Sequence, residues 1–164
     1  MEETKVLPTK VKYTGFFDVR NMYSLMYDVF TGMGYAVVED TYKSTLGGKG
    51  EDLELTWFCE KNVDNYTRFK IKIFVLGLGI EKVKVKEGDV EVSKNKGYIE
   101  LNITASIVTD WESKWETHPL LKFFKGIYDK YIYKDTFIQW KGKIVEETNI
   151  FVNEIKSFFG MQKF

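Results

Sequence analysis

The 164-residue chain has few of the residues that form cross-links, hold metals or act as acid–base catalysts. Cys59 is its only cysteine, so no intramolecular disulfide can form and an oxidising compartment is not indicated. His118 is its only histidine, and a structural zinc site would therefore need at least two carboxylate ligands. We predict no metal and no cofactor. We expect Cys59 to be a small core residue and His118 to cap a helix or lie on the surface.

Long apolar runs and an excess of charge of either sign are also lacking. No run approaches the ~20 apolar residues of a membrane-spanning helix, and no secretory signal is visible in "MEETKVLPTK". Lys+Arg and Asp+Glu both total 24, so no global field attracts the protein to nucleic acid or to an anionic membrane, and any basic surface must be local. These observations predict a cytoplasmic protein without a membrane span.

Only two prolines occur and no linker divides the chain, which predicts a single domain over residues 1–164. Asp18 and Gly34 stand where the N-cap and the C-terminal glycine of an amphipathic helix are expected. Alternating apolar residues predict strands over residues 10–17, 53–61, 67–75 and 98–108, and β-branched and aromatic content predicts another over residues 35–42.

A helical spacing of apolar residues follows Pro119 and continues towards Gly160. Residues 134–136 either separate two helices or lie in one bent helix, and Asp135 favours the first reading because it can cap the second helix. We therefore predict an α+β fold. A curved antiparallel sheet of about five to six strands is covered on one face by an N-terminal helix and C-terminal helices.

The segment "IKIFVLGLGIEKVKV" (residues 71–85) resembles at first the phosphate-binding turn of a dinucleotide fold. That turn needs a third glycine three residues after the second and a helix that begins there, but Lys82 stands at this position and the continuation alternates with period two. Gly77–Gly79 is therefore either a hairpin turn or a bend in one long strand, and not a cofactor site.

Basic residues alternate on both sides of these glycines. If Gly77–Gly79 forms a tight hairpin, six cations lie side by side and could follow a phosphate backbone: Arg68, Lys70, Lys72, Lys82, Lys84 and Lys86. The alternative is a solvated strand face on which glutamates of other strands pair with these lysines. The composition disfavours nucleic acid as the partner.

The acids do not suggest a catalytic pair. The adjacent carboxylates Glu39/Asp40, Glu51/Asp52 and Glu146/Glu147 lie near turns or on a helix surface, where we expect them to be solvated. Neighbours on a strand point to opposite faces, so Glu39 and Asp40 do not converge on one substrate.

Aromatic residues are abundant, with 13 phenylalanines, ten tyrosines and four tryptophans. Such side chains either fill a core or line a pocket or contact surface. Two tryptophans lie in the polar segment "DWESKWETH", where they either fold back onto the core or contact a partner. The candidate pocket or contact residues are Trp57, Trp111, Trp115, Phe123, Phe124 and Trp140.

The order of elements resembles the helix-grip fold of START-like or SRPBCC proteins. The resemblance is carried by "KVKYTGFFDVRNMYSLMYDVFTGMGY", by the strands within residues 53–108 and by the closing helix 137–159. It implies a sheet that wraps the C-terminal helix and encloses an apolar cavity. The strings "YDKYI" and "EETNIFVNEIKSFF" also look similar to small uncharacterised archaeal proteins, which bring no known activity.

The leading hypothesis is a non-enzymatic binding domain for an apolar small molecule or a protein partner, including further copies of the chain as a homo-oligomer. One alternative is nucleic-acid binding through the basic strand face. Another is a helix-grip-type enzyme whose active site the sequence does not identify.

Overall fold

The computed structural model describes residues 1–161, which form a five-stranded antiparallel sheet with helices on one face. The strand order is β1-β5-β4-β3-β2, so the first strand pairs with the last and β1 and β2 are the two edges. This confirms the predicted α+β fold. The elements are β1 (Glu2–Phe17), α1 (Val19–Gly32), β2 (Ala36–Gly47), β3 (Gly50–Asn62), β4 (Thr67–Glu87), β5 (Val90–Thr109), α2 (Pro119–Ile127), a π-helical turn (Tyr128–Ile132) and α3 (Lys134–Met161).

The inner face of the sheet, which the helices cover, follows from strand alternation. Leu55, Trp57 and Cys59 of β3 are at most 1% exposed, and they pair with the equally buried Val75, Ile73 and Ile71 of β4. Successive side chains of a strand point to opposite faces, so the intervening residues form an outer face. On that face Lys70, Lys72 and Thr104 lie around Phe58.

Two helices cover the inner face. In α1, Met22, Met26 and Phe30 are buried at four-residue steps, and the Asp18 carboxylate accepts the Asn21 N–H at 3.0 Å as the predicted N-cap. In α3, the buried residues include Ile144, Thr148, Phe151, Ile155 and Phe158, again at steps of three and four.

The two C-terminal helices are separated before the predicted break. The π-helical turn lies at Tyr128–Ile132 and α3 already begins at Lys134, so Asp135 lies in the first turn of α3 rather than capping it. The Tyr133 N–H donates to the Tyr128 carbonyl at 2.8 Å, which is the five-residue spacing of a π-helix.

A buried polar network holds α3 to β3 and to the segment after α1. The Glu147 carboxylate accepts the Tyr35 hydroxyl at 2.6 Å and pairs with the Lys61 ammonium at 2.5 Å. Glu147 is 5% exposed, so the expectation that both Glu146 and Glu147 are solvated is wrong for Glu147. Burial and the adjacent carboxylate raise the pKa of Tyr35, which keeps its phenol protonated as the donor.

The glycines at 77–79 form a bend in β4, which continues to Glu87 before the hairpin turn at Gly88 and Asp89. The pairing register of β4 and β5 shifts between Leu78 and Glu81, which marks a β-bulge. Gly79 has φ +60°, a left-handed value that glycine adopts without a steric penalty. Of the two open readings of this segment, the bend in a long strand is correct.

Candidate functional site

The largest group of neighbouring exposed apolar side chains in the sequence lies on α2, the π-helical turn and the first turns of α3. Within α2 no residue is buried, although five of its nine residues are leucine, phenylalanine or isoleucine. We call the exposed set the apolar patch; its members are 38–71% exposed: Leu120, Leu121, Phe123, Phe124, Ile127, Tyr131, Ile132 and Ile138.

The least exposed residue of α2 is a lysine. The Lys125 side chain is only 12% exposed, and its ammonium lies 3.6 Å from Glu2 and 3.7 Å from Asp129. Leu120, Phe124 and Ile127 follow one another at steps of four and three, so they share a different side of the helix. This orientation is the reverse of an ordinary surface helix, in which the apolar stripe contacts the core.

The π-helical turn is held to the sheet by an aromatic cluster. The Tyr66 ring lies 5.4 Å from Tyr128 and 5.0 Å from Tyr133, and its hydroxyl donates to Asp129 at 2.5 Å. The hydroxyls of Tyr133 and Thr67 are hydrogen-bonded, and burial raises the pKa of Tyr133 to about 12.

The π geometry explains how Tyr128 and Tyr133 both take part in this cluster. Residues five apart diverge by about 140° around an α-helix, whereas a π-turn brings them towards one side. Their rings are accordingly stacked at 5.8 Å.

Of the six predicted contact residues, Phe123 and Phe124 are in the apolar patch, with 65% and 48% exposure. The tryptophans of "DWESKWETH" fold back onto the protein instead. Trp111 donates to the Asp64 carbonyl at 3.3 Å and lies 4.6 Å from the Arg68 guanidinium, while Trp115 stacks on Tyr128.

The other two tryptophans are part of the packed interior. Trp57 is 1% exposed and donates from Nε1 to Glu39 at 3.2 Å. Trp140 is half-buried, donates to the Asp64 carboxylate at 3.2 Å and meets Phe69 edge-on. The six candidate residues therefore do not line one common pocket.

Sequence reasoning missed most of the apolar patch, including Tyr131, Ile132 and Ile138. The available signal was the helical stripe after Pro119, which does show which side chains share a side of α2. The stripe does not show whether that side meets the sheet or points away from it.

The six basic residues do not form one stripe, because β4 does not turn back at Gly77–Gly79. Arg68, Lys70 and Lys72 precede the bulge, whereas Lys82 follows it by a strand distance of roughly 30 Å from Lys72. The extra residue of the bulge also reverses the alternation. Ile80 and Lys82 therefore line a cleft on the inner face together with Leu53, and Lys84 and Lys86 follow on that face by alternation.

The first three cations are engaged on the outer face. Arg68 pairs with Glu60 at 3.2 Å, Lys70 pairs with Glu3 at 3.5 Å, and Lys72 lies 5.7 Å from the Phe58 ring. Pairing with glutamates of other strands was the alternative expected from the sequence.

The space between α3 and the sheet, which the helix-grip resemblance assigns to an apolar ligand, is occupied by side chains. Those that are at most 1% exposed include Phe69, Phe151 and Phe30. An open cleft of about 850 Å³ lies elsewhere, between the start of α1 and strands β2–β5. Several of its polar groups bond one another: Tyr23 donates to Glu39 at 3.0 Å, and the Val19 N–H donates to Asn95 at 3.3 Å.

The candidate catalytic side chains have structural roles. His118 caps α2, since its Nδ1 accepts the Leu120 N–H at 3.1 Å. Cys59 is fully buried and burial raises the pKa of its thiol to about 12, which disfavours the nucleophilic thiolate. Among residues 1–161 no group of three or more histidine, cysteine or carboxylate side chains is arranged to hold a metal ion.

Comparisons with protein-family models, with curated proteins and with solved structures give no match for this chain. Within the described part of the chain, no helix has both the length and the apolar character needed to cross a bilayer.

Proposed function

We propose that this protein is a non-enzymatic binding domain that associates with an apolar surface through the apolar patch. The observation that carries the proposal is the orientation of α2, whose apolar side points away from the sheet while Lys125 points towards it. Clustered exposed apolar side chains of this kind are typical of interaction sites.

The size of the patch fits such a role. If each of its eight side chains presents about half of the ~200 Å² that a large side chain can bury, the patch offers roughly 800 Å². That is about what one partner contributes to a specific protein interface of standard size.

The sequence left open whether the domain encloses an apolar small molecule or binds through an exposed contact surface. The contact surface is the better supported of the two. The space between α3 and the sheet is filled by Phe69, Phe151 and Phe30, and the cleft beside the start of α1 is open and lined largely by polar groups, whereas the patch is exposed and apolar. Nucleic-acid binding required the six basic side chains to lie side by side on one face of a hairpin. They do not, so this alternative is less well supported.

The proposal is tested by replacing two exposed patch residues in one variant, Leu120→Ser with Phe123→Ser. We expect this variant to lose whatever association the unmodified protein shows, measured by native mass spectrometry, light scattering and binding of an apolar fluorescent dye. The matched control is Val38→Ser with Leu46→Ser, which replaces two apolar residues of β2 that are 58% and 87% exposed.

The control should behave as the unmodified protein does. If the unmodified protein is monomeric, binds no dye and no surface, and matches the patch variant in every measurement, the proposed function is wrong.

A further inference from the structure

The charges around the apolar patch indicate which kind of surface covers it. Residues 118–143 contain six lysines and two aspartates, although the whole chain carries 24 residues of each sign. The segment that presents the patch is therefore locally basic and the remainder is acidic.

Part of this basic charge is not neutralised within the protein. Among residues 1–161, Lys130 and Lys134 form no ion pair, whereas Lys125 is paired with Glu2 and Asp129. The pKa of Glu116 is lowered by its bond to the amino group of Met1, and the charge of Lys122 helps to lower it. The Lys130 ammonium lies 5.4 Å from the centre of the Tyr131 ring, so a cation adjoins the most exposed aromatic residue of the patch.

The two acids of the segment just before α2 already have partners. Glu116 bonds the amino group of Met1, and Glu112 pairs with Lys114. Two copies of the chain that met patch to patch would therefore bring free lysines together with few free acids to neutralise them. Like charges placed opposite each other oppose association.

We infer that the apolar patch binds the surface of a bilayer that contains anionic phospholipid, an inference that rests on the proposed function. Leucine, phenylalanine and isoleucine enter the boundary between headgroups and acyl chains when a helix lies in the membrane plane. Lysines beside that face reach the phosphates, because their aliphatic stems lie along the apolar surface.

The shape of the site also fits a membrane. A helix with no buried residue projects its side chains outwards, so they can insert between lipids without a complementary groove. Tyr131 is 71% exposed, and its ring combines an apolar body with a polar hydroxyl suited to the headgroup level.

The test is flotation of the purified full chain with two kinds of vesicle, phosphatidylcholine alone and phosphatidylcholine mixed with phosphatidylglycerol. We expect binding to the mixed vesicles that weakens as salt increases, and much weaker binding to the neutral vesicles. Leu120→Ser with Phe123→Ser should lower the partition coefficient by on the order of 100-fold or more.

A charge variant tests the lysines separately. Lys130→Glu with Lys134→Glu should reduce partitioning to the mixed vesicles by about fivefold or more for each lysine, with little effect on neutral vesicles. Its matched control is Lys84→Glu with Lys86→Glu, which makes the same charge change on exposed residues at the far end of β4 and should bind as the unmodified protein does. Circular dichroism and melting of each variant verify that it is folded.

Equal binding to both kinds of vesicle, no binding to the mixed vesicles at low salt, or equal effects of the two lysine variants would each overturn the membrane inference. Self-association that the patch variant abolishes, without vesicle binding, would also overturn it and would leave the proposed function standing. If the unmodified protein neither self-associates nor binds dye or vesicles, both proposals fail.

Discussion

Replacing Glu147 should be among the most damaging single changes in α3, because it disrupts the network that joins this helix to β3. Glu147→Ala removes the acceptor of the Tyr35 hydroxyl and the partner of the Lys61 ammonium. Leaving a buried hydroxyl unsatisfied costs about 1–3 kcal/mol, and stranding one charge of a buried pair costs about 3–5 kcal/mol.

The expected total is smaller than the sum of these two costs. The Lys61 side chain is 20% exposed and also donates to the Met33 carbonyl at 3.1 Å, so water and the backbone partly compensate for the lost carboxylate. We expect Glu147→Ala to reduce the free energy of unfolding by about 3 kcal/mol, measured by urea denaturation as a lower midpoint at unchanged slope.

Two further variants make this reasoning testable. Glu146→Ala removes the neighbouring acid, which is exposed and lies 3.9 Å from Lys143, and it should cost less than about 0.5 kcal/mol. Combining Tyr35→Phe, Lys61→Met and Glu147→Leu replaces the whole network by apolar groups and should recover most of the loss. If Glu147→Ala costs no more than Glu146→Ala, the buried network contributes nothing and the reasoning is refuted.

Two other predictions concern stability. Burial raises the pKa of Cys59 from 9.0 to about 12 and that of Tyr133 from 10.0 to about 12, so the folded protein retains protons that the unfolded chain releases. The contribution of Cys59 is fully present below pH 9 and that of Tyr133 below pH 10, and each declines as the pH rises from that value towards 12, by about 1.4 kcal/mol per pH unit. Urea midpoints between pH 8 and 11 should show this decline, and Cys59→Ala should move its onset to about pH 10; a midpoint independent of pH would contradict the assignment. Gly97→Ala should lower the melting temperature, because a Cβ there would lie 2.9 Å from the Ile80 Cα and 3.0 Å from the Gly79 carbonyl oxygen. Gly126→Ala, with nothing within 4 Å of the added Cβ, should instead stabilise α2 by about 0.5–1 kcal/mol, and destabilisation would show that this helix is not formed.

The sheet could be predicted from the sequence because the decisive signal is local. Leu53, Leu55, Trp57 and Cys59 alternate without interruption, and all four are buried. A strand with one covered face imposes this pattern residue by residue. The cap of α1 at Asp18 is equally local, since its carboxylate bonds a backbone N–H three residues later.

The position of the bulge at Gly79 could not be predicted from local sequence in the same way. Its position depends on β5 and β3: Gly97 of β5 leaves room for Ile80, and Asp52 of β3 accepts the Gly79 N–H at 3.0 Å. These are contacts between residues distant in sequence. The burial of Glu147 is a similar case, because its partners Tyr35 and Lys61 are 112 and 86 residues away.

Which side of α2 is exposed is the clearest example of a feature that the periodicity of apolar residues does not predict. Apolar spacing identifies the side chains that share a side of the helix, but the rotation of the helix about its own axis decides whether that side faces the sheet. Here the rotation is fixed by Tyr128, Asp129 and Tyr133, which contact Tyr66 and Thr67 at the start of β4.

The same contacts explain why the apolar patch is not buried against the sheet. Turning α2 so that Leu120 and Phe124 face inwards would separate Lys125 from Glu2 and would remove the stacking of Tyr128 on Trp115. It would also break the bond between the Tyr66 hydroxyl and Asp129, a charge-assisted hydrogen bond of the stronger kind. The π-turn places Tyr128 and Tyr133 together. Their contacts with Tyr66 and Thr67 hold the C-terminal end of α2 in an orientation that exposes its apolar side. A helix held in this way keeps its apolar side available to an external surface, which is the physical basis of the binding role proposed for this protein.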